Sequence, residues 1–151
     1  NNILQQAFKF LGERYGWGHD YNGRDCTGFI SEIFRSFGLL MPRNSAQQGL
    51  GTYGNNTRFD AASSAEQKLA AIQQAQPGDL FYFPGHVSLY LGMLDKQPFM
   101  IHDVNTLVYP TAEGTLYHGK LNGVVVTPLL PLNATAGQSY LDALYAIKSL
   151  R

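Results

Sequence analysis

The sequence predicts an α+β fold, in which helices from the first half of the chain pack on one side of an antiparallel sheet from the second half. Three observations support this prediction. Apolar residues recur at helical spacing in the first half, and they alternate with period two in the second half. The 151 residues are 44% hydrophobic, which suits one domain with a sizeable core. Because the chain shows no internal repeat or linker, we expect residues 1–151 to form a single domain.

The first predicted helix begins near Asn2, a suitable N-cap, and ends at Gly12. Its apolar residues fall at positions i, i+1, i+4, i+5 and i+8, which form one face of a helix: Ile3, Leu4, Ala7, Phe8 and Leu11. The segment that follows, residues 13–25, is rich in Gly, Asp and Asn and is typical of a loop.

The second predicted helix follows this loop and places the only cysteine at its start. Its apolar face consists of five residues at helical spacing: Phe29, Ile30, Ile33, Phe34 and Phe37. Gly38 fits the position after the last turn. Cys26 therefore lies at or near the first turn of this helix and faces the loop.

A long connector is expected over residues 39–56, where turn-type residues accumulate. A short helix is then predicted over residues 63–75, with Ser63 and Glu66 spaced as a capping box. The turn signal "QPGDL" ends this helical part of the chain, and the hydrophobic pattern changes beyond it.

Short segments rich in aromatic and β-branched residues follow this turn, and their alternation predicts strands. These segments are "DLFYF", "HVSLYLGML", "PFMIHDV", "GTLYH" and "GVVVTPLL". The last segment, "SYLDALYAIKSL", is ambiguous, and we expect a strand over residues 144–150 within it.

The charge distribution argues against several classes of function. The 11 basic and 11 acidic residues give a net charge of zero, and no run of Lys or Arg forms a nucleic-acid footprint. The longest apolar runs are about five residues, far below the roughly 20 that a membrane-spanning helix needs. A single cysteine excludes an internal disulfide bond. We therefore expect a monomer with no nucleic-acid partner and no transmembrane segment.

Cys26 is the first candidate for chemistry, because it stands between Asp25 and Thr27 rather than among apolar residues. A helix N-terminus supplies unpaired N–H groups and partial positive charge, which favour the reactive thiolate. A neighbouring imidazole would lower the pKa of the thiol further. The alternative is a small cysteine buried in the core, which is common for an isolated cysteine.

His86 and His102 are the next candidates. His86 begins a predicted strand near its rim, and adjacent strands would bring the two imidazoles within reach of each other. A catalytic imidazole needs a polar group on its second nitrogen to fix its tautomer. Asp103 points to the opposite face, so His102 is preferred for that role. The alternatives are an exposed histidine at the rim and a strand histidine bonded to the backbone.

A metal site is a further possibility for the same residues. Zinc sites usually contain two Cys or His ligands a few residues apart, whereas Cys26, His86 and His102 are isolated in the sequence. No Walker-type or dinucleotide-binding glycine loop is present. We therefore expect no metal and no cofactor, and a metal-dependent hydrolase stays as an alternative.

Four pieces of the sequence, in this order, resemble the NlpC-type cysteine peptidases of bacterial cell walls, a papain-like family. They are "RYGWGHDYNGRDCTGFISEIFRSFGLLMPRNSAQQ", "QPGDLFYF", "GHVSLYLG" and "FMIHD". The resemblance runs from about Tyr15 to Asp103. It implies a papain-like α+β fold with Cys26 as nucleophile, His86 as general base and His102 as the group that orients His86.

The resemblance also implies a set of substrate-binding residues. Asp25 and Thr27 would help to bind the free amine of a stem peptide, and Tyr15 would line the cleft. His19 stands where the family usually has glycine, so its ring would narrow the cleft or add a substrate contact. The backbone N–H of Cys26 would contribute to the oxyanion hole.

The implied activity is hydrolysis of murein (peptidoglycan) stem peptides after γ-D-glutamate, at its bond to a diamino acid. The implied partners are therefore peptidoglycan stem peptides, and the implied location is the cell envelope, either periplasmic or secreted. Related enzymes often carry targeting domains ahead of the catalytic one, so we expect the chain to be a fragment of a longer multidomain protein. The alternatives are an amidase or acyltransferase with the same Cys/His/His set, and an inactive cell-wall binding module.

Overall fold

A computed structural model describes residues 2–14, 25–42, 45–135 and 138–150 of the chain. Its helices are α1 (Asn2–Phe8), α2 (Cys26–Arg35), α3 (Ser45–Leu50), α4 (Ala65–Gln74) and α5 (Tyr140–Ala143). Its strands are β1 (Asn55–Arg58), β2 (Leu80–Phe83), β3 (His86–Leu94), β4 (Gln97–Pro110), β5 (Leu116–Pro128), β6 (Asn133–Thr135), β7 (Gln138–Ser139) and β8 (Ala146–Ser149). Most helices precede most strands, and the predicted α+β class is confirmed.

The strands of the described residues form an antiparallel sheet in the order β1-β8-β2-β3-β4-β6-β7, with β5 paired to β4. The ambiguous last segment does form a strand, because β8 lies between β1 and β2. β2 and β3 form a hairpin in which Phe83 pairs with His86. β3 and β4 are neighbours, with Leu89 opposite Ile101. The two strands that carry the candidate histidines therefore lie side by side.

The two faces of the sheet support separate hydrophobic cores, because successive residues of a strand point to opposite sides. Leu80 and Tyr82 of β2 join the core that α1 and α2 cover. Phe81 and Phe83 of the same strand join the core that α4 and α5 cover. The helices therefore pack on both faces of the sheet, rather than on one side only.

The boundaries of α2 follow from local chemistry. Asp25 precedes the helix with extended backbone angles, φ −86° and ψ −178°, and its side chain accepts a hydrogen bond from Gly28 N. This cap makes Cys26 the first residue of α2, as predicted. Gly38, expected after the last turn, has φ 80°, the left-handed conformation that commonly follows a helix.

The connector predicted over residues 39–56 contains α3 and β1, which no sequence pattern indicated. Tertiary contacts stabilise α3, because Gln48 is fully buried and its Oε1 accepts a hydrogen bond from the Tyr82 hydroxyl of β2 at 3.3 Å. A six-residue helix with few apolar side chains has no periodicity that could reveal it.

The capping box before α4 lies one residue later than predicted. It consists of Ser64 and Gln67, which bond each other's backbone N–H groups, instead of Ser63 and Glu66. The motif "SSAEQ" allows both registers, because Ser is followed three residues later by Glu or Gln in each.

The first helix is shorter than predicted. It begins at Asn2, which was expected as its cap, and ends at Phe8, so Leu11 lies outside it and is 51% exposed. The longest helices, α2 and α4, have ten residues each. Among the residues that the structure describes, no helix is long and apolar enough to span a bilayer.

Candidate active site

The N-terminus of α2 lies against the turn that joins β2 and β3. Cys26 Sγ donates a hydrogen bond to Gly85 O at 3.9 Å, and Gly85 directly precedes His86. Gly85 has φ 72° after Pro84, which fits the second central position of a type II turn. The structure therefore brings the candidate nucleophile to the strand end that carries the first histidine.

The two candidate histidines are hydrogen bonded to each other. His86 Nε2 lies 2.8 Å from His102 Nδ1, and His102 Nε2 lies 2.9 Å from Thr127 Oγ1. His102 and Thr127 are buried, whereas His86 is only partly buried at the start of β3. The side-by-side placement expected from the strand pattern is therefore present, and Thr127 of β5 extends it by one residue.

One distribution of protons along the hydrogen bonds of His86, His102 and Thr127 would let His86 act as a base. A neutral imidazole has one N–H and one accepting nitrogen. If Thr127 Oγ1 accepts from His102 Nε2–H, then His102 Nδ1 accepts from His86 Nε2–H, and His86 Nδ1 is left as an acceptor. When His86 gains a proton at Nδ1, both hydrogen bonds persist, because Nε2 donates in either charge state. In this distribution Thr127 supplies the acceptor for His102 Nε2–H.

The thiol of Cys26 is protonated at neutral pH. Burial raises the pKa of Cys26 to about 11; the backbone N–H groups of Val87 and Thr27 oppose this shift, and the charges of Asp25 and Asp103 add to it. The helix N-terminus acts in the expected direction, since the Thr27 N–H lowers the pKa of the thiol, but the net shift is upward. Desolvation of the thiolate is larger than the stabilisation from the helix end.

Both imidazoles are also neutral at neutral pH. Burial lowers the pKa of His86 to about 4. Burial, together with the neighbouring His86, lowers the pKa of His102 well below its usual range. Burial therefore favours the neutral forms of both the thiol and the imidazoles.

The two residues that flank Cys26 form hydrogen bonds within the first turn of α2. Asp25 is 6% exposed and Thr27 is 4% exposed. Asp25 Oδ1 accepts from Gly28 N at 2.8 Å and from Thr27 Oγ1 at 3.2 Å. These contacts explain how Asp25 caps α2, and the role of both residues in binding a substrate amine stays a prediction.

The remaining substrate-binding candidates, Tyr15 and His19, lie outside the described residues. Within the described ranges, no three His, Cys, Asp or Glu side chains are close enough together to hold a metal ion. The described part of the candidate site is therefore built from α2, from the start of β3 and from the middle of β4.

Sequence reasoning missed three residues that contact the histidines: Phe83, Thr127 and Tyr140. Thr127 lies in a recognisable strand, but only the β4–β5 register brings it near His102. The rings of Phe83 and Tyr140 have centroids 6.1 and 6.0 Å from that of His86. Phe83 precedes the Pro-Gly turn, so its pairing with His86 was readable from the hairpin pattern. Tyr140 carries no signal in the sequence.

Comparison with known sequences matches the chain to one family and to peptidases of two bacteria. The family model described as NlpC/P60 family matches residues 12–126. A probable endopeptidase p60 of Listeria grayi is 37% identical over 104 residues, which are 63% of this chain and 17% of that protein. A gamma-D-glutamyl-L-lysine dipeptidyl-peptidase of Bacillus cereus is 29% identical over 101 residues, which are 61% of this chain and 26% of that protein. The chain thus matches only a minor part of each relative's length.

Comparison with solved structures supports the fold. An NlpC/P60 endopeptidase from Photobacterium damselae subsp. piscicida superposes with a TM-score of 0.76, at 20% sequence identity. The superposition covers 98% of this chain and 38% of that chain. At this level of identity the likeness shows a shared fold, and it extends beyond the residues that the family model matches.

Proposed function

Because the chain belongs to the NlpC/P60 family, we propose that it is a cysteine peptidase that hydrolyses amide bonds in murein stem peptides. The observation that carries this proposal is the hydrogen-bonded series of His86, His102 and Thr127 next to the turn that Cys26 contacts. A thiol, a base and a group that orients the base are the parts that acyl transfer requires.

In the proposed first step, Cys26 Sγ attacks the carbonyl carbon while its proton passes to His86 Nδ1. Burial keeps both groups neutral at neutral pH. We therefore expect the proton to move as the S–C bond forms, rather than before it. The new imidazolium keeps its hydrogen bond to His102 Nδ1, which stabilises its charge.

The later steps return the site to its starting state. The backbone N–H of Cys26 helps to hold the oxyanion, because the first N–H groups of a helix have no acceptor within the helix. The C–N bond then breaks, and His86 gives its proton to the leaving amine. A water molecule, deprotonated by His86, attacks the thioester and releases the carboxylic acid and the Cys26 thiol. This sequence of steps needs no cofactor.

The proposed cleavage point is the bond between γ-D-glutamate and a diamino acid. The name of the Bacillus cereus relative, a gamma-D-glutamyl-L-lysine dipeptidyl-peptidase, supports this choice. Asp25 and Thr27 are proposed to bind the free amine of the stem peptide, with Tyr15 and His19 along the cleft. Murein lies outside the cytoplasmic membrane, so we propose that the chain acts in the cell envelope as one domain of a longer protein.

Digestion of purified murein, followed by mass spectrometry of the soluble fragments, tests the proposal. We expect the wild type to release fragments that end in γ-D-glutamate. Cys26→Ala should lower the rate by about 10⁴-fold or more, because the nucleophile is lost, while the midpoint of urea unfolding changes little. Cys26→Ser keeps the size and a hydrogen-bonding group, and it should be nearly as inactive as the alanine variant.

Other outcomes would replace the proposal with an alternative. Full activity of Cys26→Ala would exclude Cys26 as the nucleophile. Loss of activity with a chelator, but not with an alkylating agent, would indicate a metal-dependent hydrolase. Products joined to an added amine would indicate an acyltransferase. Binding to murein without any released fragment would indicate a binding module.

A further inference from the structure

A tyrosine from near the C-terminal end of the described residues covers the two histidines. The centroid of the Tyr140 ring lies 6.0 Å from that of His86, 6.4 Å from that of His102 and 4.8 Å from that of Phe83. Tyr140 is only 8% exposed, although it begins a helix of four residues. It lies beyond residues 12–126, so the family match does not account for it.

Backbone hydrogen bonds hold this ring in place. Tyr140 N donates to Leu132 O at 2.9 Å, and Tyr140 O accepts from Leu144 N at 2.9 Å. Ser139 caps the short helix, because its hydroxyl accepts from Asp142 N at 3.1 Å. Leu132 and Leu144, which form these backbone bonds, are buried in the same core as the tyrosine. These contacts fix the backbone that carries the ring, and the buried core around the tyrosine holds the ring against the histidines.

The position of the ring affects how water reaches the imidazoles. The ring centroids lie within the range at which aromatic side chains contact each other, so Tyr140 shields His86 and His102 from solvent. Desolvation is the main cause of the low pKa of both imidazoles. Without this ring, water would compete for the His86–His102 hydrogen bond and would stabilise the imidazolium.

We propose that Tyr140 is a positioning residue whose ring holds the His86–His102 hydrogen bond and keeps water away from it. Its importance for catalysis rests on the proposed peptidase function, whereas its effect on the histidines does not require turnover. Among the described residues, no hydrogen bond uses the Tyr140 hydroxyl. We therefore assign the effect on the histidines to the ring, while burial and then the charge of Cys26 raise the pKa of the Tyr140 hydroxyl to about 12.

Among the described residues, few charged groups near the histidines compete with this effect. In the described part of the chain, the titratable groups in contact with His86 are His102 of β4 and Tyr140 of α5, and Cys26 of α2 bonds the carbonyl of the preceding Gly85. The contacts from β2 and β5 are not titratable: Phe83 and Thr127. Asp103, also in β4, points to the other face of the sheet, where its charge acts on Cys26. Asp142 of α5 is exposed to solvent.

Titration of the histidine ring protons by NMR tests the proposal without turnover. The measurement uses Cys26→Ala as the parent, and adds Tyr140→Phe, Tyr140→Leu or Tyr140→Ala to it. We expect Tyr140→Ala to raise the titration midpoints of the His86–His102 pair by about one pH unit or more, because water reaches the rings. Tyr140→Phe should leave them unchanged. Tyr117→Ala removes an exposed tyrosine of β5 and serves as the matched control.

The pH profile of murein hydrolysis gives a second measurement, with the active cysteine present. A base that titrates near 4 is almost fully neutral at pH 5.5, whereas a base that titrates near 6.5 is mostly protonated. If Tyr140→Ala returned the pKa of His86 to its ordinary range, kcat/KM at pH 5.5 would fall about tenfold relative to pH 8. KM should change little, because the ring contacts the base rather than the substrate.

The outcomes separate this proposal from the proposed function. Unshifted histidine midpoints in both folded Tyr140→Ala and folded Tyr140→Leu would overturn the positioning role, whatever the activity. An equal shift in Tyr140→Phe would also overturn it, because the hydroxyl would then be responsible. If Tyr140→Ala does not fold, Tyr140→Leu decides the question, because its side chain is smaller than the ring and should also raise the midpoints, though by less. Shifted midpoints in a protein that cleaves no murein would support the positioning role and reject the peptidase.

Discussion

Two buried polar clusters of this sheet differ in what their side chains bind. In the histidine cluster, formed by His86, His102 and Thr127, side chains bind one another. In the lysine cluster, formed by Lys148 and the backbone of residues 51–53, a fully buried ammonium group donates to two carbonyl oxygens at 2.9 and 2.7 Å. The first cluster lies where three strands meet, and the second ties β8 to the segment between α3 and β1.

The difference indicates a chemical role for one cluster and a structural role for the other. Lys148 uses two donors on Gly51 O and Tyr53 O, and its Nζ also lies 3.9 Å from the centroid of the Tyr53 ring. The histidine cluster leaves His86 Nδ1 without a hydrogen bond among the described residues, beside the turn that Cys26 contacts. The ammonium group of Lys148 bonds backbone oxygens and so holds two segments together. The imidazole of His86 has a nitrogen that can accept a proton beside the turn that Cys26 contacts.

Among the replacements that test this comparison, His102→Leu should have the largest effect on activity. His102→Leu removes the partner of His86 Nε2, so the tautomer and the orientation of the base are no longer fixed. We expect kcat/KM for murein fragments to fall by about 10²–10³-fold. His118→Leu, an exposed histidine of β5, is the matched control and should retain activity. Wild-type activity in His102→Leu would mean that the histidine cluster is structural.

Replacement of Lys148 should affect stability instead. Lys148→Met keeps most of the apolar stem but removes the buried ammonium group and its two hydrogen bonds. Gly51 O and Tyr53 O then keep their other donors, Arg58 and Asn56. We expect the free energy of unfolding to fall by about 2–4 kcal/mol, measured by urea titration, with unchanged activity per folded molecule. Lys120→Met, in an exposed part of β5, should change stability little. A loss of activity at full stability would remove the distinction between the two clusters.

Replacement of Thr127 should have a smaller effect on activity than loss of His102. Thr127→Val is nearly isosteric but removes the acceptor for His102 Nε2–H, so the productive tautomer is less populated. We expect kcat to fall about tenfold, with KM nearly constant. Thr127→Ser restores the hydroxyl and should recover most of the rate. Equal rates for the valine and serine variants would show that Thr127 only fills space.

The smallest of the expected effects concerns stability: replacement of His86 should change how the free energy of unfolding depends on pH. Folded His86 has a pKa of about 4, whereas an ordinary histidine has a pKa of 6.5. Between these values the unfolded chain binds more protons than the folded chain, so stability falls as the pH is lowered through this window. Urea midpoints measured from pH 7.5 to pH 4 should fall less steeply in His86→Gln than in the wild type. His118→Gln should keep the wild-type slope, and an equal slope in all three proteins would contradict the buried neutral state of His86.

Local patterns predicted the elements that carry their own signal. The apolar spacing after Cys26, the cap at Asp25 and the glycine at position 38 together define α2. Alternation in β3 and β4 placed both histidines on strands. α3 and β1 escaped prediction because contacts with distant parts of the chain stabilise them, as when β1 pairs with β8.

The sequence by itself determined where the candidate nucleophile stands and which strands carry His86 and His102, because helix caps and strand alternation are set by neighbours in the chain. Only the tertiary structure decided that Thr127 and Tyr140 join them, since strand register and the docking of a distant segment depend on the packing of the whole domain. It also decided the charge of the site. A pKa depends on the water that remains around a group after folding, and burial leaves the thiol of Cys26 and the imidazoles neutral.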